Sequence, residues 1–157
     1  MYVKRTRRQF LKSSGGISLL ALMAAAGMLP GFASAEEWNK AAFAAKSVDD
    51  VIRLLGGSAP QQSDRVILNG PEIAENGAVV PLEISSSLPG VESIAILIEK
   101  NPNTLAASFA IPPGTLPEIQ TRVKMNETCN VYALVKSDGK FFYAAKEIKV
   151  TLGGCGG

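Results

Sequence analysis

Residues 131–152 read VYALVKSDGKFFYAAKEIKVTL. Two runs rich in valine, aromatic and β-branched residues flank a polar tetrapeptide, and that pattern decides the fold. Asp138-Gly139 is a hairpin signal, because a two-residue turn of the tightest kind needs positive φ at both central positions. Aspartate tolerates that conformation and glycine adopts it freely. Two antiparallel strands therefore meet here.

Upstream, the period of two continues back to Arg65. Val66–Leu68 is a short run. Val80, Leu82 and Ile84 alternate with Pro81, Glu83 and Ser85. ESIAILIEK (92–100) follows. Next come LAASFAI, with Leu105, Ala107, Phe109 and Ile111 on one face, and EIQTRVKM, with Ile119, Thr121, Val123 and Met125 on one face. NGP, ENG, LPG, NPN and PPGT separate the earlier runs, and each is a turn by composition. Seven short strands with such punctuation predict a mainly β chain, an immunoglobulin-like antiparallel sandwich, with a small closed barrel as the alternative.

Residues 36–60 read differently. Trp38, Ala41, Ala42 and Ala45 recur at helical spacing. SVDD then opens a second helix, with Ser47 as N-cap, Asp50 three positions on, Val48, Val51, Ile52 and Leu55 on one face, and Gly56 as the stop. Such stripes are packing surface, and no site is read in them. The expected division is a signal in 1–35, a helical segment in 36–60, the sandwich in 61–152 and a flexible C-terminal arm in 153–157.

The N-terminus is an address. RTRRQFLK carries the paired Arg7 and Arg8, a short apolar stretch runs from Ile17 to Leu29, and ASA at 33–35 is a small-residue cleavage site. A basic start, a short apolar core and a cleavage site make a twin-arginine (Tat) export signal. That core is too short for a membrane anchor. Five of the sixteen Lys+Arg precede residue 36 and none of the fourteen Asp+Glu does, so the exported part carries 11 − 14 = −3 charges. The basic balance of the whole chain belongs to the signal and points to no nucleic acid.

The chain has no histidine. That excludes imidazole-activated nucleophiles and histidine metal ligation. Two cysteines separated by 25 residues make no zinc or iron–sulfur site, and no cofactor motif is present. The chain reads as a non-enzyme.

The end of the sequence, VTLGGCGG, poses a separate question. Gly153, Gly154, Gly156 and Gly157 flank Cys155 and cannot bury enough surface to offset the entropy of ordering them. They are expected to form a mobile arm that packs on nothing, reaching about 17 Å from Val150 at about 3.4 Å per residue. Single valine substitutions there are then expected to leave thermal stability unchanged. The nearest Lys or Arg, Lys149, is six residues from Cys155, so its thiol is expected near the ordinary value of about 8.5, available but activated only by whatever receives the arm. A Cys129–Cys155 bridge and a dimerising disulfide stay open. They leave the alternative reading of an exported, disulfide-linked structural or adhesion domain.

The sequence resembles the SoxY family, the sulfur-carrier subunits of the periplasmic thiosulfate-oxidising Sox system. RRQFLK, PEIAENGAVVPLEI, EKNPN, SDGK and KVTLGGCGG carry the resemblance, and GGCGG after a strand is the most specific of them. Cys129 stands outside the family pattern. The resemblance implies covalent attachment of thiosulfate-derived sulfur to Cys155 and a heterodimer with a SoxZ-like subunit. It also implies delivery to a c-type cytochrome enzyme (SoxAX), to a sulfate-releasing hydrolase (SoxB) and, in some systems, to a sulfane dehydrogenase (SoxCD).

Overall fold

The structure, a computed structural model, describes residues 39–153. The expected signal with Arg7 and Arg8, residues 36–38, and residues 154–157 with Cys155 lie outside the described residues.

Two short helices open the described chain. Asn39 caps α1 (Lys40–Ala44) by accepting from the Ala42 amide. Ser47 caps α2 (Val48–Leu54) by accepting from the Asp50 amide, and Gly56 ends the segment at φ +83°. Ala42, Ala45, Val51 and Ile52 are buried, while Ala41, placed on the same stripe from sequence, is exposed. Alpha-1 stops at Ala44 and the backbone turns extended at Ala45, so the helical spacing does not persist long enough to bury Ala41.

Nine strands follow. The seven expected runs are β2 (Val66–Asn69), β4 (Val80–Ser86), β5 (Val91–Ile98), β6 (Leu105–Ala110), β7 (Glu118–Val123), β8 (Cys129–Ser137) and β9 (Lys140–Val150). Two further strands have two residues each, β1 (Gln61–Gln62) and β3 (Ile73–Ala74). One sheet has the order β1-β9-β8-β5-β6, with β3 also on β9; the other has the order β2-β4-β7. All the long pairings are antiparallel, but β1 and β3 lie parallel to β9, so the sandwich is not antiparallel throughout. Pairs this short carry no side-chain period that a sequence reading could detect.

Between the sheets, Val66, Val80, Leu82, Ile84, Ile94, Ile96, Ile98, Val123, Met125, Val131, Val135 and Ile148 form the main core. The helices cover the other face of the larger sheet, where Ala95, Leu97, Leu105, Leu134 and Phe141 meet Ala42, Val51 and Ile52. This double cover explains why Ile94–Ile98 is apolar at every position: odd and even residues enter different cores. A register shift between Ile96 and Leu97 pairs them with Ala107 and Leu105, leaving Ala106 as the extra residue. The bulge turns Leu105 to the helical side, so it does not share a face with Ala107, Phe109 and Ile111 as the alternation predicted. At the β8–β9 turn, Asp138 and Gly139 have φ +47° and +72°, as the hairpin signal requires.

Candidate functional site: the root of the C-terminal arm

Strand β9 is the longest in the chain and leads to the arm, and its last residues are held from three directions. Beside it, β3 and the residue before it supply carbonyls: Glu72 accepts from the Lys149 amide at 3.0 Å and Ala74 from the Thr151 amide at 3.1 Å. The Thr151 hydroxyl donates to the Glu75 carbonyl at 2.9 Å. From the β7–β8 loop, the Thr128 hydroxyl accepts from the Val150 amide at 2.9 Å. Past the strand, the Gly77 amide donates to the Leu152 carbonyl at 2.7 Å, and the Gly77 carbonyl accepts from the Met125 amide at 2.7 Å.

Gly153 comes next, and it does not stand clear of the body. It is half-buried, and a Cβ built on it would overlap the backbone carbonyl oxygen of Asn126. That loop is fixed by Asn101, which donates to the Lys124 carbonyl at 2.7 Å and accepts from the Asn126 amide at 3.0 Å. The expectation that every glycine of the arm packs on nothing is therefore corrected at Gly153. The packed chain extends to Gly153, and glycine is needed there because backbone approaches backbone. The estimate of reach changes with it: from Gly153 to Cys155 is two residues, about 7 Å between α-carbons at full extension. Gly154, Cys155, Gly156 and Gly157 lie outside the described residues.

Asn101 escaped the sequence reading. Its signal was present in EKNPN, but a turn composition does not say that the asparagine amide will bridge to a loop 23 residues away.

Cys129 is the other thiol. It opens β8 opposite Ile148, is 4% exposed within the main core, and is free. Burial pushes its pKa up, and a backbone hydrogen bond at Lys100 offsets this only in part. A buried neutral thiol is a poor nucleophile. Among the described residues, no group of three or more Asp, Glu or Cys could hold a metal ion, and no helix is long and apolar enough to cross a membrane.

Two packed sheets, with a final strand clamped to its end and a cysteine two positions past the clamp, define an immunoglobulin-like sandwich serving as a scaffold for its C-terminal segment. The chain belongs to the SoxY family: the family described as "Sulfur oxidation protein SoxY" matches residues 51–155, so the match ends on Cys155. The solved structure of the sulfur carrier protein SoxY from Chlorobium limicola f thiosulfatophilum is 39% identical, with a TM-score of 0.62 over 68% of this chain and 97% of that one. A superoxide reductase (neelaredoxin) from Ignicoccus hospitalis is 18% identical, with a TM-score of 0.50 over 58% of this chain and 94% of that one, and shares the fold alone. No curated protein matches the chain.

Proposed function

We propose that this protein is a sulfur carrier of the Sox system, holding thiosulfate-derived sulfur on Cys155 and delivering it to enzymes that act on the adduct. The observation that carries the reading is the family match that runs through the clamped end of β9 to Cys155. The burial of Cys129 supports it, since only one thiol is then left for exchange.

Each step balances with partners of stated chemistry. The Cys155 thiolate and thiosulfate join through a new S–S bond, and two electrons pass to a c-type cytochrome enzyme of the SoxAX kind. Water then cleaves the bond between the outer sulfur and the sulfonate on a SoxB-like hydrolase, releasing sulfate and two protons and leaving a persulfide on Cys155. Where a SoxCD-like sulfane dehydrogenase is present, it oxidises that sulfur further. The chain supplies no catalytic group to these steps; it holds the sulfur and places it. A SoxZ-like subunit completes the carrier as a heterodimer. Tat export through Arg7 and Arg8 places it in the periplasm, where a chain folded before export takes its partner along.

Intact-mass analysis of the protein after incubation with thiosulfate and the coupling enzyme tests this reading. The expected result is an added thiosulfate group, converted by the hydrolase to one added sulfur atom, with both lost in Cys155→Ser. An unmodified wild-type chain, or adducts that persist in Cys155→Ser, would overturn it.

A further inference from the structure

We infer that the surface around Gly153, with Leu152 and Val79 at its centre, is the docking surface for the enzymes that take the Cys155 sulfur. The inference rests on the carrier reading and adds to it where on the body those enzymes must sit.

The length of chain between the clamp and the thiol forces the contact. Gly153 is the last described position, and the Cys155 α-carbon lies at most about 7 Å beyond it. The side chain and one further bond add about 5 Å, so a group bonded to the sulfur sits within about 12 Å of Gly153. An arm free from Val150 onward could lower sulfur into a recess while the sandwich stayed outside. A two-residue tether cannot, and the mouth of the enzyme's active site must rest against the body at the root.

What that surface offers is aliphatic and rigid. Leu152 is 61% exposed and Val79 is 55% exposed. Backbone hydrogen bonds hold both segments: the Leu152 carbonyl accepts from Gly77, and the loop Asn76–Val79 closes on itself through the Ala78 amide and the Asn76 side-chain oxygen at 2.8 Å. Large apolar side chains on ordered backbone bind without a backbone ordering cost. The Gly77–Leu152 hydrogen bond joins the two segments that carry them, and two such residues offer a small contact area, suited to weak contacts that release quickly. A carrier that visits several enzymes in turn needs that behaviour. Because the same tether serves every visit, the same patch is used each time.

The test uses the carrier with its partner subunit and measures turnover by the cytochrome coupling enzyme and the hydrolase. Leu152→Asp and Val79→Asp are each expected to lower kcat/KM about tenfold or more with both enzymes, mainly through KM. The thermal midpoint and the rate of Cys155 alkylation by a small reagent should stay at wild-type values. Ile67→Asp is the control: Ile67 is 48% exposed but sits opposite Ser85, at the end of β4 remote from Val80, and should leave turnover unchanged. Inserting four glycines between Gly153 and Gly154 in the Leu152→Asp chain should restore turnover to within a few-fold, because a longer tether removes the forced contact. Unimpaired turnover in the Leu152→Asp, Val79→Asp double variant would overturn the docking surface, and so would failure of the longer tether to rescue. If that double variant is unimpaired while Cys155→Ser is inactive, the docking surface falls and the carrier reading stands; turnover retained in Cys155→Ser would remove the carrier reading itself.

Discussion

A single backbone carbonyl, that of Asn126, leaves no room for a Cβ at Gly153. Adding a Cβ there forces Asn126 or the chain itself to move, and Asn126 is tied through Asn101. Gly153→Val is therefore expected to destabilise the fold by about 1–3 kcal/mol, the usual range for overpacking. Gly154→Val and Gly156→Val are expected to leave the thermal midpoint within about a degree. Calorimetry on the three variants checks this, and equal midpoints for all three would contradict the contact. The two cysteines divide in the same way. Native protein is expected to react with one equivalent of thiol reagent, at Cys155, and with a second, at Cys129, only on unfolding. Peptide mapping of the labelled chain decides. Cys129→Ala is expected to cost about 1 kcal/mol of stability through the lost core sulfur and to leave sulfur loading unchanged. Sequence alone made Cys155, which lies outside the described residues, the expected exposed thiol, since glycines cannot bury it. It could not show that Cys129 points into the core, because the first position of a strand may face either way until its register is set.

The β8–β9 hairpin is the element most legible from residues, because Asp138-Gly139 specifies a turn by local chemistry alone. Its support is not local. Glu92 on β5 accepts from the Lys136 ammonium at 2.7 Å and from the Gly139 amide at 2.8 Å, joining the hairpin to its neighbouring strand. The Lys136 hydrogen bond first, then the Gly139 amide, hold the Glu92 carboxyl below its ordinary value of 4.5. A carboxylate whose pKa is lower folded than unfolded adds stability above the unfolded value. That contribution disappears as pH falls through the folded value. Glu92→Gln is thus expected to be less stable than wild type at neutral pH and to lose less on acidification from pH 4.5 downward, as read by urea midpoints across that range. Parallel slopes for the two proteins would contradict the pairing. The bulge at Ala106 was illegible for a related reason: alternation places side chains correctly only while the ladder keeps its register, and one unpaired residue reverses every face before it.

Across the whole molecule, the two-sheet architecture was readable because seven runs carried their own period and punctuation. The function of the helical segment as a lid on the larger sheet was readable only as a packing stripe without a destination. Leu97, Leu134 and Phe141 supply that destination. Deleting residues 36–57 is expected to expose them, raising the binding of a hydrophobic dye and lowering the thermal midpoint; a truncated chain with neither change would show that the lid is dispensable. What the sequence concealed altogether was the parallel attachment of β1 and β3 to β9, four residues that complete the flank of the last strand. Their placement has a mechanical meaning. On the proposed carrier reading, an enzyme that closes on a Cys155 adduct would pull on the C-terminal end of β9, along the strand. Nine register pairs join β9 to β8 on one side, and β1 and β3 brace the other. Traction in that direction strains the rungs together in shear instead of opening them one after another like a zipper. A scaffold braced in this way would withstand a pull on its C-terminal end without fraying strand by strand from that end.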